Sequence, residues 1–355
     1  MTHPPARRLR DPAALPAPRS AAALDGLVPP PRFGTTSFAA YRPVHPSQAD
    51  ARTTVADFVA DTAERARPRR LRLPWRTPPV GRGLYLDGGF GVGKTHLLAA
   101  AWHAAALPAR RKRYLSFQEL VYLLGVLGRE GAREAFADVA LLCLDEFELD
   151  DPGNTLLIAT FLREAFARGT ALVTTSNTPP EAQGSGRFAA HDFRREIQAI
   201  AERFEVVAID GPDHRAGVRQ ADWSGPAELR AAADACPGEV LHATGDELAS
   251  TLTALHPVRY RELLRGVDLV VLEDLRPIPD QNAALRFVHF VDKLYDLGIG
   301  LRATGTHPLA DTFDADYAHG AYAKKHLRCL SRLSELLTED LPGSRAGVGD
   351  ARDAG

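Results

Sequence analysis

Gly88-Gly-Phe-Gly-Val-Gly-Lys-Thr95 decides how the rest of this 355-residue chain is read. The apolar run Leu84-Tyr85-Leu86 leads into it and His96-Leu97-Leu98-Ala99 follows, so G-x-x-x-x-G-K-[ST] stands between an expected strand and an expected helix. A glycine loop in that place turns several backbone N–H groups toward one point, and the helix N-terminus adds the positive end of its dipole. The spacing predicts a site for a nucleoside triphosphate, cradled by Gly88, Gly89, Phe90, Gly91, Val92 and Gly93. Lys94 is expected to reach the β- and γ-phosphates, and the Thr95 hydroxyl to ligate the Mg²⁺ that bridges them.

Downstream, Val139-Ala-Leu-Leu-Cys-Leu-Asp145-Glu146 is a mainly apolar run closed by two carboxylates, as in a parallel strand buried on both faces. Asp145 is expected to hold the Mg²⁺ and Glu146 to polarise the water that attacks the γ-phosphate. An acidic strand end facing solvent is the bland alternative. Its place about fifty residues after a phosphate loop favours catalysis. Between the two, Leu97 to Leu107 reads as a helix ended by Pro108, Arg113 to Phe117 as a strand and Gln118 to Leu127 as a helix. Phe161 to Arg168 closes another helix at Gly169. Ala171-Leu-Val-Thr-Thr-Ser-Asn177 is then a strand with a polar tip: Asn177 either touches the lytic water or γ-phosphate, or opens the turn at Thr178-Pro179-Pro180. The fold class is α/β, a P-loop NTPase parallel sheet with flanking helices.

Upstream, residues 1–32 are rich in Pro, Ala and Arg and are expected to form a disordered arm. Residues 33–80 are assigned to a helical and linker segment. Phe38 and Tyr41 supply aromatics for the core or for a base, and Ser47 is the expected N-cap of a helix to about Ala66, with Val55, Phe58, Val59 and Thr62 on one face. Six arginines between Arg65 and Arg76 form either a solvated linker or a phosphate-contacting patch. Residues 81–212 are expected to form the nucleotide-binding core, 213–340 a more divergent segment with a second strand-helix-strand unit and a C-terminal helix, and 341–355 a flexible tail.

Composition narrows the partners. With 45% hydrophobic and 25% charged residues and a net charge of −2, no global field advertises a nucleic acid or a membrane surface. Cys143, Cys236 and Cys329 are odd in number and widely spaced, which argues for a reducing compartment. The histidines show no zinc spacing. Without a signal-peptide core or an apolar run near ~20 residues, a cytoplasmic protein is expected. Arginine outnumbers lysine 38 to 5, which reflects a G+C-rich genome.

One repeat is visible within the chain. At a constant offset of 128, Val139 to Pro180 lies on Val267 to Pro308, pairing Asp145-Glu146 with Glu273-Asp274, Asn154 with Asn282, Val173 with Leu301 and Asn177 with Gly305. No second phosphate loop accompanies it. Leu269 to Leu272 and Leu301 to Thr304 are therefore expected to extend or neighbour the same sheet, with Glu273-Asp274 structural.

The phosphate loop, Asp145-Glu146 and Thr175-Ser-Asn177, in that order, resemble the AAA+ superfamily. More closely, Leu141-Leu-Cys-Leu-Asp-Glu-Phe147, Phe166-Ala-Arg-Gly169 and Val173-Thr-Thr-Ser-Asn-Thr-Pro-Pro180 resemble the ZapE cell-division ATPases. Further matches are Glu205 to Asp210 with Asp213-His-Arg215, Asn282 to Phe287, Val291 to Tyr295, and Arg328-Cys-Leu-Ser-Arg-Leu333. The resemblance implies Mg·ATP hydrolysis with Glu146 as the hydrolytic glutamate, Asn177 as sensor 1, and sites formed between subunits of a homo-oligomer. An arginine from the neighbour then stabilises the transferring phosphoryl group. Arg187, in Gly184-Ser-Gly-Arg187-Phe, is the first candidate although its spacing departs from the family's; Arg203 is the second, and Arg194 and Arg195 are expected on a solvated helix face. Arg328 and Arg332, at i and i+4, offer an ATP-binding sensor-2 contact, with an exposed pairing role for whichever is not used.

The resemblance implies a cytosolic protein client, the ring of the tubulin-like division protein FtsZ. A helicase loader or initiator is the alternative that Gly93-Lys-Thr-His-Leu-Leu98 keeps open, and a nucleotide-gated scaffold with little turnover is the non-enzymatic one. No helix-turn-helix or aromatic-basic platform is evident, so no specific nucleic-acid binding is expected.

Overall fold

The computed structural model describes residues 7–9, 15, 26–67, 80–149, 152–180, 183, 194–212, 221–318 and 322–340. After a two-residue strand β1 (Arg7–Arg8), the chain forms β2 (Gly83–Gly88), β3 (Lys112–Ser116), β4 (Leu141–Asp145), β5 (Ala171–Ser176) and β6 (Phe204–Ile209). These are followed by β7 (Val240–Thr244), β8 (Leu269–Leu275) and β9 (Gly300–Gly305). The helices are α1 (Pro46–Arg65), α2 (Lys94–Ala104), α3 (Phe117–Ala135), α4 (Pro152–Ala167), α5 (Arg194–Ala201), α6 (Pro226–Ala235), α7 (Gly245–Ala254), α8 (Tyr260–Leu263), α9 (Gln281–Leu297) and α10 (Ala323–Thr338). Two units result: Pro18–Pro29 with Phe33–Ala216, and Met1–Ala17 with Pro30–Arg32 and Gly217–Gly355.

The first unit is a parallel sheet in the order β3-β4-β5-β2-β6. Side chains alternate between its faces. Leu84, Leu86, Leu141 and Cys143 join α1 and α2 in one apolar layer, while Tyr85, Leu142 and Leu144 join α3 and α4 in another. Because both faces are covered, the strands carry near-continuous apolar runs. The sheet thus brings the ends of β2, β4 and β5 to one edge, with β5 between the glycine-loop strand and the Asp145 strand.

Element ends differ from the expectations in physical detail. His45, not Ser47, caps α1: Pro46 takes the first helical position, the His45 ring accepts from Ser47 N, and the buried Gln48 side chain returns to the cap backbone. The Ser47 hydroxyl instead accepts from Asp210 N at 2.9 Å. Ser116 caps α3 through Glu119 N, and the helix runs beyond Leu127 after a break at Gly128, whose φ is 63°. Lys112, 8% exposed, donates to the carbonyls of Trp102 and Ala105 at the end of α2.

The second unit corrects three expectations. Leu269 to Leu272 and Leu301 to Thr304 do not extend the first sheet; they belong to a separate parallel sheet, β1-β7-β8-β9. The N-terminal residues are not wholly an arm: Arg7 and Arg8 pair with Leu241 and His242, Leu15 is buried in this unit's core, and Arg32 meets Glu335, Glu339 and the Tyr295 ring. The segment from 213, expected to be more divergent with a second strand-helix-strand unit and a C-terminal helix, also holds α6, β7 and α7 among its described residues. The tail after 340, and residues 68–79 with most of the arginine run, lie outside the described residues.

The repeat is longer than the sequence alone suggests. Ser116 caps α3 with Glu119, and Thr244 caps α7 with Glu247, each pair 128 residues from its counterpart. Helix-ending glycines in the left-handed region, Gly169 and Gly298, stand 129 apart, so the register slips by one before β9. The counterpart of Asn177 is therefore Thr306 rather than Gly305. Strands β7-β8-β9 repeat the order and direction of β3-β4-β5.

Candidate nucleotide-binding site

Residues 88–95 leave β2, turn through Gly91 and Gly93 at φ 69° and 89°, and enter α2 at Lys94. Only glycine takes those angles without strain. Gly88 is fixed for another reason: a Cβ there would lie 2.3 Å from the Ile209 carbonyl of β6, whereas at Gly89 it would meet nothing. Lys94 is 9% exposed and its ammonium donates to the carbonyls of Gly88 and Gly89 and to Asn177 Oδ1 at 2.9 Å. The structure thus joins the loop lysine to the tip of β5.

Asp145 closes the other side. Its Oδ1 accepts from Thr95 Oγ1 at 3.3 Å and Thr175 Oγ1 at 2.5 Å, and its Oδ2 accepts from Tyr114 at 3.0 Å. A carboxylate beside a hydroxyl is a hard-oxygen pair, the donor chemistry that Mg²⁺ takes together with phosphate and water. Thr95 and Asp145 fit such an ion. Glu146 follows at φ 56°, unusual for a residue with a side chain, and its N–H is held by Thr175 Oγ1 at 3.0 Å.

Three residues of this site escaped sequence reasoning. Thr175 left a signal, since a polar side chain in a buried strand must find partners. Tyr114 left none, because its reach to Asp145 depends on the β3–β4 register, in which Ser116 stands opposite Asp145. Gln183, 5% exposed, accepts from Leu149 N and donates to Phe147 O, Ser176 Oγ and the Tyr85 hydroxyl. It ties the loop after Glu146 to the turn that carries Asn177.

Arg187 and its helix-leading neighbours lie outside the described residues. Arg203 is exposed before β6, its carbonyl accepting from Gly83 N, and Arg195 is exposed on α5. Arg328 and Arg332 share one face of α10 and are 7% exposed each, so neither takes the exposed role expected for whichever does not contact nucleotide. Arg328 lies 2.7 Å from Asp292 Oδ2 and Arg332 pairs with Oδ1. Burial alone would raise Asp292, yet the two guanidinium groups hold its carboxyl well below the usual carboxylate range.

The chain is similar to proteins already known. The AFG1-like ATPase profile matches residues 22–247 and 228–343. Cell division protein ZapE of Escherichia coli strain K12 is 29% identical over 301 residues, 73% of this chain and 79% of its own. Lactation elevated protein 1 homolog B of Danio rerio is 25% identical over 162 residues, 39% of this chain and 31% of its own. Among solved structures, the DnaC helicase loader is similar at TM-score 0.38 and 23% identity, covering 51% of this chain and 99% of its own. Replication initiator DnaA bound to AMPPCP and single-stranded DNA gives 0.39 and 17%, covering 51% and 52%. The fold is a parallel sheet with a phosphate loop at one end, and the profile match takes in both the loop unit and the repeat that follows it: the chain belongs to the AFG1-like ATPase family.

Proposed function

We propose that this protein hydrolyses ATP in the cytoplasm and uses the cycle to act on a protein client, the FtsZ ring by its likeness to ZapE. The observation that carries the reading is the meeting of Thr95 with Asp145 on one side of the loop and of Lys94 with Asn177 on the other. On this reading the N–H groups of residues 89–95 bind the phosphates, and Lys94 exchanges its loop carbonyls for phosphate oxygens. Thr95 and Asp145 hold Mg²⁺, which when bound offsets the phosphate charge. Glu146 takes the proton of the attacking water, and Asn177 orients that water or the γ-phosphate.

The protein works as a homo-oligomer, and the cation that completes each site comes from Arg187 or Arg203 of another copy. Arg328 and Arg332, whose charge Asp292 offsets, are assigned instead to joining α9 and α10. Among the described residues no helix is long and apolar enough to cross a membrane.

The test is single-turnover hydrolysis by wild type, Lys94→Ala and Glu146→Gln. Lys94→Ala should lose nucleotide binding or hydrolysis, and Glu146→Gln should bind ATP and stall; hydrolysis at the wild-type rate by the latter removes Glu146 from catalysis. Co-sedimentation of ATP-loaded Glu146→Gln with FtsZ polymers then tests the client. Pelleting with ATP but not ADP supports it, and no pelleting in any state withdraws FtsZ while leaving the ATPase.

A further inference from the structure

We infer that Tyr41 is a positioning residue for the phosphate loop, aiming the Gly93 N–H at the β-phosphate, which AMP lacks, by holding the carbonyl of the same peptide. The Tyr41 hydroxyl donates to Val92 O at 2.8 Å, with the side chain 5% exposed. A trans peptide is planar, so its C=O and N–H point in opposite directions. A donor fixed on Val92 O therefore sends the Gly93 N–H away from Tyr41, into the concave side of the loop. Gly93 needs this help, because glycine at φ 89° has no side chain to restrict its rotation. The ring also closes the outer side: a Cβ on Gly93 would lie 2.5 Å from Tyr41 Cε2.

Tyr41 is itself anchored. The residues before it lie along α2, where His96 Nε2 donates to Ser37 O at 3.0 Å and His103 Nε2 to Phe33 O at 2.9 Å. The Tyr41 and His96 rings pack with centroids 5.3 Å apart. A buried aromatic serves packing equally well as Phe; a buried hydroxyl with a loop carbonyl as partner does more than fill space. Burial also pushes the Tyr41 hydroxyl above its ordinary value, keeping it protonated and a donor at every working pH. The choice of ligand rests on the proposed ATP reading, while the orienting contact does not.

The experiment compares full-length wild type with Tyr41→Phe, titrating Mg·ADP, Mg·ATP and AMP by calorimetry and measuring hydrogen exchange of the peptide spanning residues 84–97 without nucleotide. Loss of one hydrogen bond should weaken ADP and ATP about threefold to tenfold, leave AMP unchanged, keep kcat at saturating ATP within about twofold, and speed exchange in that peptide. Unchanged ADP affinity, equal weakening of AMP, or a lower kcat at unchanged affinity overturns the inference. If wild type itself binds no ADP, the ATP reading fails. Exchange then decides alone: faster exchange at residues 84–97 upholds the hold of Tyr41 on the loop, and unchanged exchange ends it.

Discussion

Asp292→Asn separates a structural role for Arg328 and Arg332 from a nucleotide-binding one. In wild type, none of the three side chains is more than 12% exposed, and Asp292 gives one oxygen to each guanidinium. The substitution keeps the shape and leaves two buried cations facing an amide. Breaking a buried pair from one side costs about 3–5 kcal/mol. Because one carboxylate answers two cations, the upper part of that range applies, ~4–5 kcal/mol. For a domain of this size each kcal/mol lowers Tm by about 2–4 °C, so the transition of the second unit should fall by roughly 8–20 °C. Differential scanning calorimetry reads the fall, and ATP titration well below the new Tm should give wild-type affinity. The pH dependence has a fixed sign. A carboxyl held below its unfolded value near 3.9 stabilises the fold fully above that pH and loses its contribution as pH falls further, so the gap to Asp292→Asn should stay constant down to about pH 4 and then shrink. A Tm within about 3 °C of wild type would refute the buried triad. Weakened ATP binding at an unchanged Tm would return one of the two arginines to the nucleotide. Replacing all three residues with Leu and Met should recover most of the lost stability, since a buried charge cluster gains little over apolar packing.

Thr175→Val removes the hydroxyl shared by Asp145 Oδ1 and Glu146 N, and should lower kcat about tenfold or more at little change in ATP affinity; equal effects on both would show that Thr175 does not act through the carboxylates. Glu273→Ala should keep steady-state ATPase within about twofold of wild type, and a loss as deep as that of Glu146→Gln would give the second unit a part in hydrolysis. His326 is 3% exposed between Phe313 and Tyr317, and burial pushes its pKa below the ordinary value of 6.5. The unfolded chain therefore binds the extra proton: stability should be full above about pH 6.5 and fall as pH drops through it, and melts of His326→Phe should lose that slope.

The first unit was legible where local chemistry dictates structure. A glycine loop between an apolar strand and a helix, and apolar runs for strands buried on both faces, place Gly88 to Thr95 and Asp145-Glu146 without tertiary knowledge. Sheet membership was not legible, because the same run that makes β4 a buried parallel strand makes β8 one, and parallel partners are set by contacts far apart in sequence. The cap at His45 was hidden by the better-known preference for serine, although Pro46 at the first helical position points to it. The one-residue slip between the repeats lies in the helix-ending glycines, Gly169 and Gly298, which a gapless alignment passes over. Tyr114 and Gln183 were invisible as site residues because each acts across the fold, on Asp145 and the turn at Ser176 respectively, and Tyr41, read as an aromatic for the core or for a base, gave no sign that its hydroxyl meets Val92 O.

The repeat also bears on the proposed nucleotide site. Glu146 and Asp274 share the same rare backbone, φ 56° and 55°, and in each unit a threonine hydroxyl accepts from that residue's N–H, Thr175 at 3.0 Å and Thr304 at 2.9 Å. A left-handed residue after an acidic strand end is therefore a property of the strand-helix-strand scaffold, and its strain is no mark of catalysis by itself. What differs is the neighbour. Beside β5 the first unit has β2 and its loop, with Lys94 and Thr95. On the edge of β9 away from β8, Ser224 N bonds Ala303 O and leads directly into α6, and no glycine loop intervenes. The Trp223 indole packs on Gly305 and donates to the His307 carbonyl at 2.6 Å, so an apolar ring stands near the strand tip where the first unit presents Asn177 to its lysine. Glu273 and Asp274 are exposed, with no phosphate loop beside their strand among the described residues. The assignment of Glu146 to hydrolysis thus draws its force from Lys94 and Thr95 in the same unit, and the identical turn at Asp274 is the control that a scaffold alone provides.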